Sequence, residues 1–370
     1  MLLKTQETTC MLSVLRSVVR ILAARRSGLA RWTTVVTVAA ALGACSDTPE
    51  PVGPAAHGPI AADAQFSSSG TLLITSNATL VEDHYGNISI AADNVTLDCA
   101  GHTVFGPGVS GFSGGIEIDG HTGVTVTHCT VTGFGVNGIF AGGSSNGRYE
   151  ANTLSGNGNH GIHLDFGSGN VVVGNMSRSN GGIGIVLTSA TQSRIDGDTV
   201  QNNTGEAGIV VAGSNDNVVV GNTALRNSIG FVVDNATGNE LRGNNANQNH
   251  YQGFQVLRGS SGNTLDSNTV NQNLIGIEIT DGASANIIRK NVANGNTFEG
   301  FKFFTANSNT VTSNVGNSNG TFGFLVFGGS SFNTFTGNVG HANHSLDALD
   351  DGSGTGNVWT NNNFGTTAGI

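Results

Sequence analysis

Asp119 and Asp165 occupy the same place in a recurring phrase of the chain, two repeats apart, and Glu117 and His163 occupy the neighbouring place. If the repeats stack as strands about 4.8 Å apart, two rungs hold the carboxylates roughly 9–10 Å apart at the backbone. That is near the upper limit for a pair acting across a water on a glycosidic bond. A histidine beside carboxylates changes charge near neutrality and suits general acid or base work. Asp119, His163 and Asp165 are therefore the catalytic candidates, with Glu117 and the more distant rings Phe304 and Phe327 as substrate-binding candidates. No Arg or Lys shares the acidic end of this pattern, although a reaction on an acidic sugar wants a cation to hold the carboxylate. A Ca²⁺ held by Glu117, Asp119 and Asp165 would supply that charge. The competing reading is that these are solvated strand-face residues of an acidic protein.

These residues can meet only if the phrase is a structural unit. Ten glycines from Gly115 to Gly323 lead ten copies at intervals of 22–24 residues, a period too short and too regular for separate globular domains. Apolar residues follow each glycine at alternate positions, as in Ile116/Ile118, Ile162/Leu164 and Phe301/Phe303, so the unit is a strand. A second strand is centred on Tyr149, Val172, Ile195 and their counterparts up to Trp359, and no helix-length amphipathic stretch intervenes. Two asparagine columns accompany the strands, one from Asn152 to Asn362 with Asp198 at a single rung, the other from Asn157 to Asn343. Asparagine tolerates a left-handed backbone and carries both a donor and an acceptor, so one per coil can turn the chain and bond its copies above and below. The expectation is an all-β parallel solenoid of about twelve coils of 22–24 residues, over residues 67–365, with asparagine ladders and a capping segment at 347–370.

Of the chain's 370 residues only 11% are charged, while 56 are glycine. Arg20, Arg25, Arg26 and Arg31 precede an apolar run from Trp32 to Leu42 that is too short to span a bilayer as a helix, which reads as an export signal over residues 1–44. Leu42-Gly43-Ala44-Cys45 resembles a bacterial lipobox, with Cys45 as the lipidated residue, and Ser46 favours outer-membrane or cell-surface sorting. Residues 45–66 hold four of the five prolines and read as a tether. Six of the 15 basic and one of the 25 acidic residues precede Cys45, leaving a net charge of −15, which excludes nucleic acid as a partner. Cys99 and Cys129 then remain as the candidate disulfide of an exported chain. Gly111-Phe112-Ser113-Gly114-Gly115 matches a nucleophile-elbow pattern, but opens no helix.

The opening segment Ile88-Ser-Ile-Ala-Ala-Asp93-Asn94-Val-Thr-Leu-Asp98-Cys99-Ala-Gly101-His102-Thr-Val104-Phe-Gly106 and the repeats behind it resemble the right-handed parallel β-helix proteins. The likeness is to the NosD-like and carbohydrate-binding, sugar-hydrolase group. That resemblance implies polysaccharide binding or processing on the outward face of the first strand column. If the chain is an enzyme, it implies a polysaccharide lyase, an epimerase or a glycoside hydrolase. A non-catalytic structural or adhesive stalk is the alternative, and a NosD-like periplasmic metal accessory protein the third. The paired-Asp and Gly-His-Gly elements of polygalacturonases and the Asp-Pro-His element of alginate epimerases are missing. Met176 is the only methionine after residue 44, which argues against a thioether copper site, and no metal ligands are assigned.

Overall fold

The computed structural model describes residues 64–66 and 70–370. The leader, Cys45 and the tether up to residue 63 lie outside the described residues. Among the described residues no helix is long and apolar enough to cross a membrane.

Each coil contributes up to three short strands. In one turn the chain runs through Ile162–Asp165, Val171–Val173 and Met176–Arg178, then returns at Ile185–Thr188, which pairs in parallel with the first strand in the register Ile162 to Ile185. Repetition builds a fourteen-stranded front sheet from Leu72–Ile74 to Thr367–Ala368 and a fourteen-stranded second sheet from Ala64–Phe66 to Val358–Thr360. An eight-stranded third sheet runs from His84–Tyr85 to Asn245–Asn247, beyond which it thins to single bridges at Thr269, Val292, Val315 and Val339. All pairings are parallel, and the asparagine-flanked apolar position of the repeat supplies the third sheet's inward residue, as at Val131, Leu154 and Val200.

The inward side chains form one continuous core, the two per front strand meeting the one per second strand. Identical rings stack between coils, Phe231 on Phe254 at 4.5 Å and Phe301 on Phe324 at 4.6 Å. The glycine that leads each copy is forced by the coil above: a Cβ on Gly230 would stand 2.4 Å from the Gly253 carbonyl oxygen. Cys99 and Cys129 are joined by a disulfide within the core, and the Cys129 amide donates to Asn152 Oδ1 at 2.9 Å, so this cysteine takes the first rung below the asparagine column.

Both asparagine columns are hydrogen-bonded ladders. At the interior asparagine rungs other than Asn227, Nδ2 donates to the next rung's side-chain oxygen and to a main-chain carbonyl of the previous coil, as Asn244 does to Asn268 at 3.0 Å and to Val219 at 2.9 Å. A third ladder, which the sequence reading did not single out, runs Asn170, Ser193, Asn217, Asn239, Asn263, Asn286, Asn309, Asn333 and Asn357 before the second strand. Its signal was present as a third asparagine column of the same period, interrupted at Ser193.

The last coil closes the stack through side chains. Asp347 accepts from Asn343 Nδ2 at 2.8 Å, ending the second ladder, and its other oxygen accepts the Gly365 and Thr366 amides at 3.0 and 2.9 Å. Trp359 stacks on Phe335 at 3.8 Å and donates its indole N–H to Asp350.

Candidate functional site

On the front sheet, the residue between each pair of inward side chains and the one after them point outward and align in two columns. The strand-end column reads Asp119, Gly142, Asp165 and Thr188 in direct register, so the two aspartates are two rungs apart with a glycine between them. A Cβ on Gly142 would lie 2.8 Å from Asp119 Oδ1, which shows the Asp119 carboxylate leaning over Gly142 toward the coil of Asp165. The middle column reads Glu117, Phe140, His163 and Val186. His163 stands against Phe140 and His160, both with ring centroids 5.3 Å away, and its Nε2 lies 3.0 Å from Thr188 Oγ1. Burial pushes His163 below the ordinary imidazole range against the opposing pull of Asp165, and it pushes His160 down to about 4, with a smaller contribution from His163. Both rings are neutral at pH 7, and a neutral imidazole is the form that accepts a proton. Glu117 turns aside to accept the Gly114 amide.

The loops flanking this face are tight. Ser144 is buried, its hydroxyl shared between the Ile118 and Gly142 carbonyls, while Phe166 is exposed.

Higher up, the outward face is not solvated as the alternation suggests. Val186, Val210 and Val232 point outward yet are only 5%, 6% and 2% exposed, because Ile183, Ala207, Ile229, Ala212 and Leu257 close over them as a second apolar cluster. Period two reports which way a side chain points, and only its neighbours decide what it meets. Beside this cluster an open groove of about 360 Å³ is lined by Thr188, Ala212, Asp234 and Arg258. Arg258, outside the expected columns, pairs with Asp234 at 2.6 Å.

At the upper end, Glu278 is buried and fully satisfied. Gln252 and Gln255 donate to one oxygen at 2.7 and 3.0 Å, and Lys302 pairs with the other at 2.8 Å. Lys302 Nζ lies 5.7 Å from the Phe327 ring centre. Phe304, 39% exposed, meets Phe327 at 4.8 Å. Phe304 and Phe327 thus form an aromatic shelf, on different coils from Asp119, His163 and Asp165; the three catalytic candidates share one neighbourhood and the two rings another.

The model of the right-handed β-helix region matches residues 114–270, and the model of the periplasmic copper-binding protein NosD matches residues 223–368. The chain is a right-handed β-helix repeat protein. This β-helix resembles the solved periplasmic alginate epimerase AlgG with a TM-score of 0.55 and 14% identity, covering 79% of this chain and 76% of that one. The mannuronan C-5 epimerase AlgE6 A-module of Azotobacter vinelandii gives 0.55 and 13%, with 80% and 91% covered. The DFA-IIIase of Arthrobacter chlorophenolicus A6, in complex with GF2, gives 0.53 and 10%, with 67% and 81% covered. At these identities the likeness is one of fold. No curated protein matches the chain.

The copper of the NosD description finds no fitting donor set among the described residues. The two thiols are joined to each other, His102, His121 and His128 each face a single aspartate, and no three His, Cys, Asp or Glu side chains converge.

Proposed function

We propose that this is an exported, lipid-anchored β-helix protein that binds or processes polysaccharide on the outward face of its front sheet. The observation that carries the reading is the rung at Gly142. Its missing side chain leaves room into which the Asp119 carboxylate and the Phe140 ring lean, on the rung between Asp119 and Asp165 and beside a neutral His163. The two-rung backbone spacing of roughly 9–10 Å lies near the upper limit for a carboxylate pair that admits a water, and Asp119 leans over the intervening rung. In the catalytic form of the reading, one carboxyl protonates the leaving oxygen, while the other carboxylate or His163 takes the proton of the attacking water. Phe304 and Phe327 offer a flat apolar surface for a sugar ring farther along the same face. The fold resemblance to enzymes named alginate epimerase and mannuronan C-5 epimerase supports a glycan over other partners. A leader at residues 1–44, Cys45 as anchor and a tether at 45–66 support a location at the outer membrane or cell surface.

The test incubates the purified protein with neutral and uronic-acid polysaccharides, with and without Ca²⁺, and follows retention and new reducing or unsaturated ends. Product that falls to background in Asp119→Ala and in Asp165→Ala is the expected result. Retention without product makes the face a binding surface alone. Neither signal, or product that both variants keep, removes the reading and leaves the stalk.

A further inference from the structure

We infer that the turn between the third and front sheets, at residues 202–251, holds a second sugar site, one that takes an acidic sugar residue through Arg226. The inference rests on the reading of the protein as a glycan partner but uses a different surface. A cavity of about 430 Å³ opens there, lined by Asn202, Thr204, Arg226, Ser228, His250 and Tyr251. These residues come from the same turn on three successive coils, and the second asparagine ladder lies directly beneath them. Asn203 donates to Asn227 at 3.1 Å, and the Asn227 amide donates to Asn249 at 3.0 Å. The backbone that shapes the cavity is therefore fixed before any ligand arrives, which lowers the ordering cost of binding.

Arg148, Arg194, Arg242, Arg258 and Arg289 each pair with a carboxylate, whereas Arg178 and Arg226 pair with none among the described residues, and of these two it is Arg226 that lines the cavity. In the neighbouring groove Asp234 already neutralises Arg258. An uncompensated guanidinium in a concave site of an acidic protein selects for a carboxylate, which it can grip with two parallel hydrogen bonds. The remaining groups suit the rest of a sugar. His250 donates Nδ1–H to the Asn227 carbonyl at 2.9 Å, which fixes its ring and leaves Nε2 free. The Thr204 hydroxyl donates to the Gly181 carbonyl at 3.2 Å, so its oxygen is left to accept. Tyr251, 47% exposed, offers a ring face and a phenol.

Calorimetric titration with trimers of galacturonate and of mannuronate, against neutral trisaccharides of the same length, tests the assignment. The wild-type protein should bind at least one acidic trimer and no neutral one at this site. Arg226→Gln should weaken that binding tenfold or more, and Tyr251→Ala should weaken it too, while Arg242→Gln, on the second sheet, should match wild type. An Arg226→Gln protein that binds as wild type does, equal binding of neutral trimers that Arg226→Gln abolishes, or no binding of either acidic trimer would each overturn the inference. The front-face reading is judged apart from this, by product or retention that depends on Asp119 and Asp165.

Discussion

Replacing Asp198 with asparagine should stabilise the protein by about 4 kcal/mol above pH 7 and change little below pH 4. Asp198 takes a rung of the first ladder, where its Oδ1 accepts the Asn175 amide and Nδ2 at 2.6 and 2.8 Å. Its own amide donates to Asn222 Oδ1 at 2.8 Å. The other oxygen, Oδ2, is buried with no partner, in the place where every neighbouring rung carries a donor. Only a protonated carboxyl can donate there. Burial, opposed by hydrogen bonds from Asn175 and from the Asp196 backbone and aided least by the Asp196 charge, pushes its pKa up to about 7. The folded chain thus holds this proton more tightly than the unfolded chain, whose aspartate titrates near its ordinary value of 3.8. The contribution of Asp198 to stability is whole below pH 3.8 and is lost as pH rises through 7. Urea midpoints from pH 4 to 8 should fall for the wild type relative to Asp198→Asn and then level off. Parallel curves for the two proteins would show that Asp198 is ionised in the fold.

Asn268→Ala should cost about 3–5 kcal/mol, chiefly by opening the coils on either side. Asn268 is fully buried, donates to Asn291 Oδ1 and the Leu241 carbonyl at 2.9 Å each, and accepts the Asn244 amide and Nδ2 at 2.9 and 3.0 Å. Alanine strands the Asn244 amide and one Asn244 Nδ2 hydrogen and removes the side-chain donor from the Leu241 carbonyl in a dry core, while Asn291 Oδ1 keeps the main-chain amide of residue 268. Asn271, three residues on and half-buried, accepts only the Asn294 amide, at 2.8 Å, so Asn271→Ala should cost less than about 1 kcal/mol. Hydrogen exchange should show lost protection spreading from residues 241–291 in the first variant and none in the second, since each coil of a solenoid leans on its neighbours. Equal effects of the two substitutions would mean that the ladder is ornamental.

The fold was legible because a 22–24-residue period repeats side-chain direction, and one glycine and two asparagines per coil mark its corners. The third sheet was harder to see. Its strands are two or three residues long with a single inward side chain, which shrinks to alanine at Ala224 and Ala246, too little to show alternation. The third ladder hid behind Ser193, which keeps the hydroxyl acceptor but breaks the letter pattern. At the candidate site, spacing placed Asp119 and Asp165 on one column and His163 beside them, as direct register shows. What covers an outward residue depends on groups before and after the strand, so the closed cluster around Val210 had no signature in the strand itself. Arg226 and Arg258 escaped notice because they sit in left-handed turns between strands, outside the columns that the period defines.

Carbodiimide labelling of carboxylates with and without a retained polysaccharide shows whether a glycan lies on the front face. Asp119 and Asp165 should lose label when the glycan is bound, while Asp196 and Glu240 of the second sheet keep theirs. Unchanged labelling at Asp119 and Asp165, with protection at Asp196 or Glu240 instead, would contradict the account.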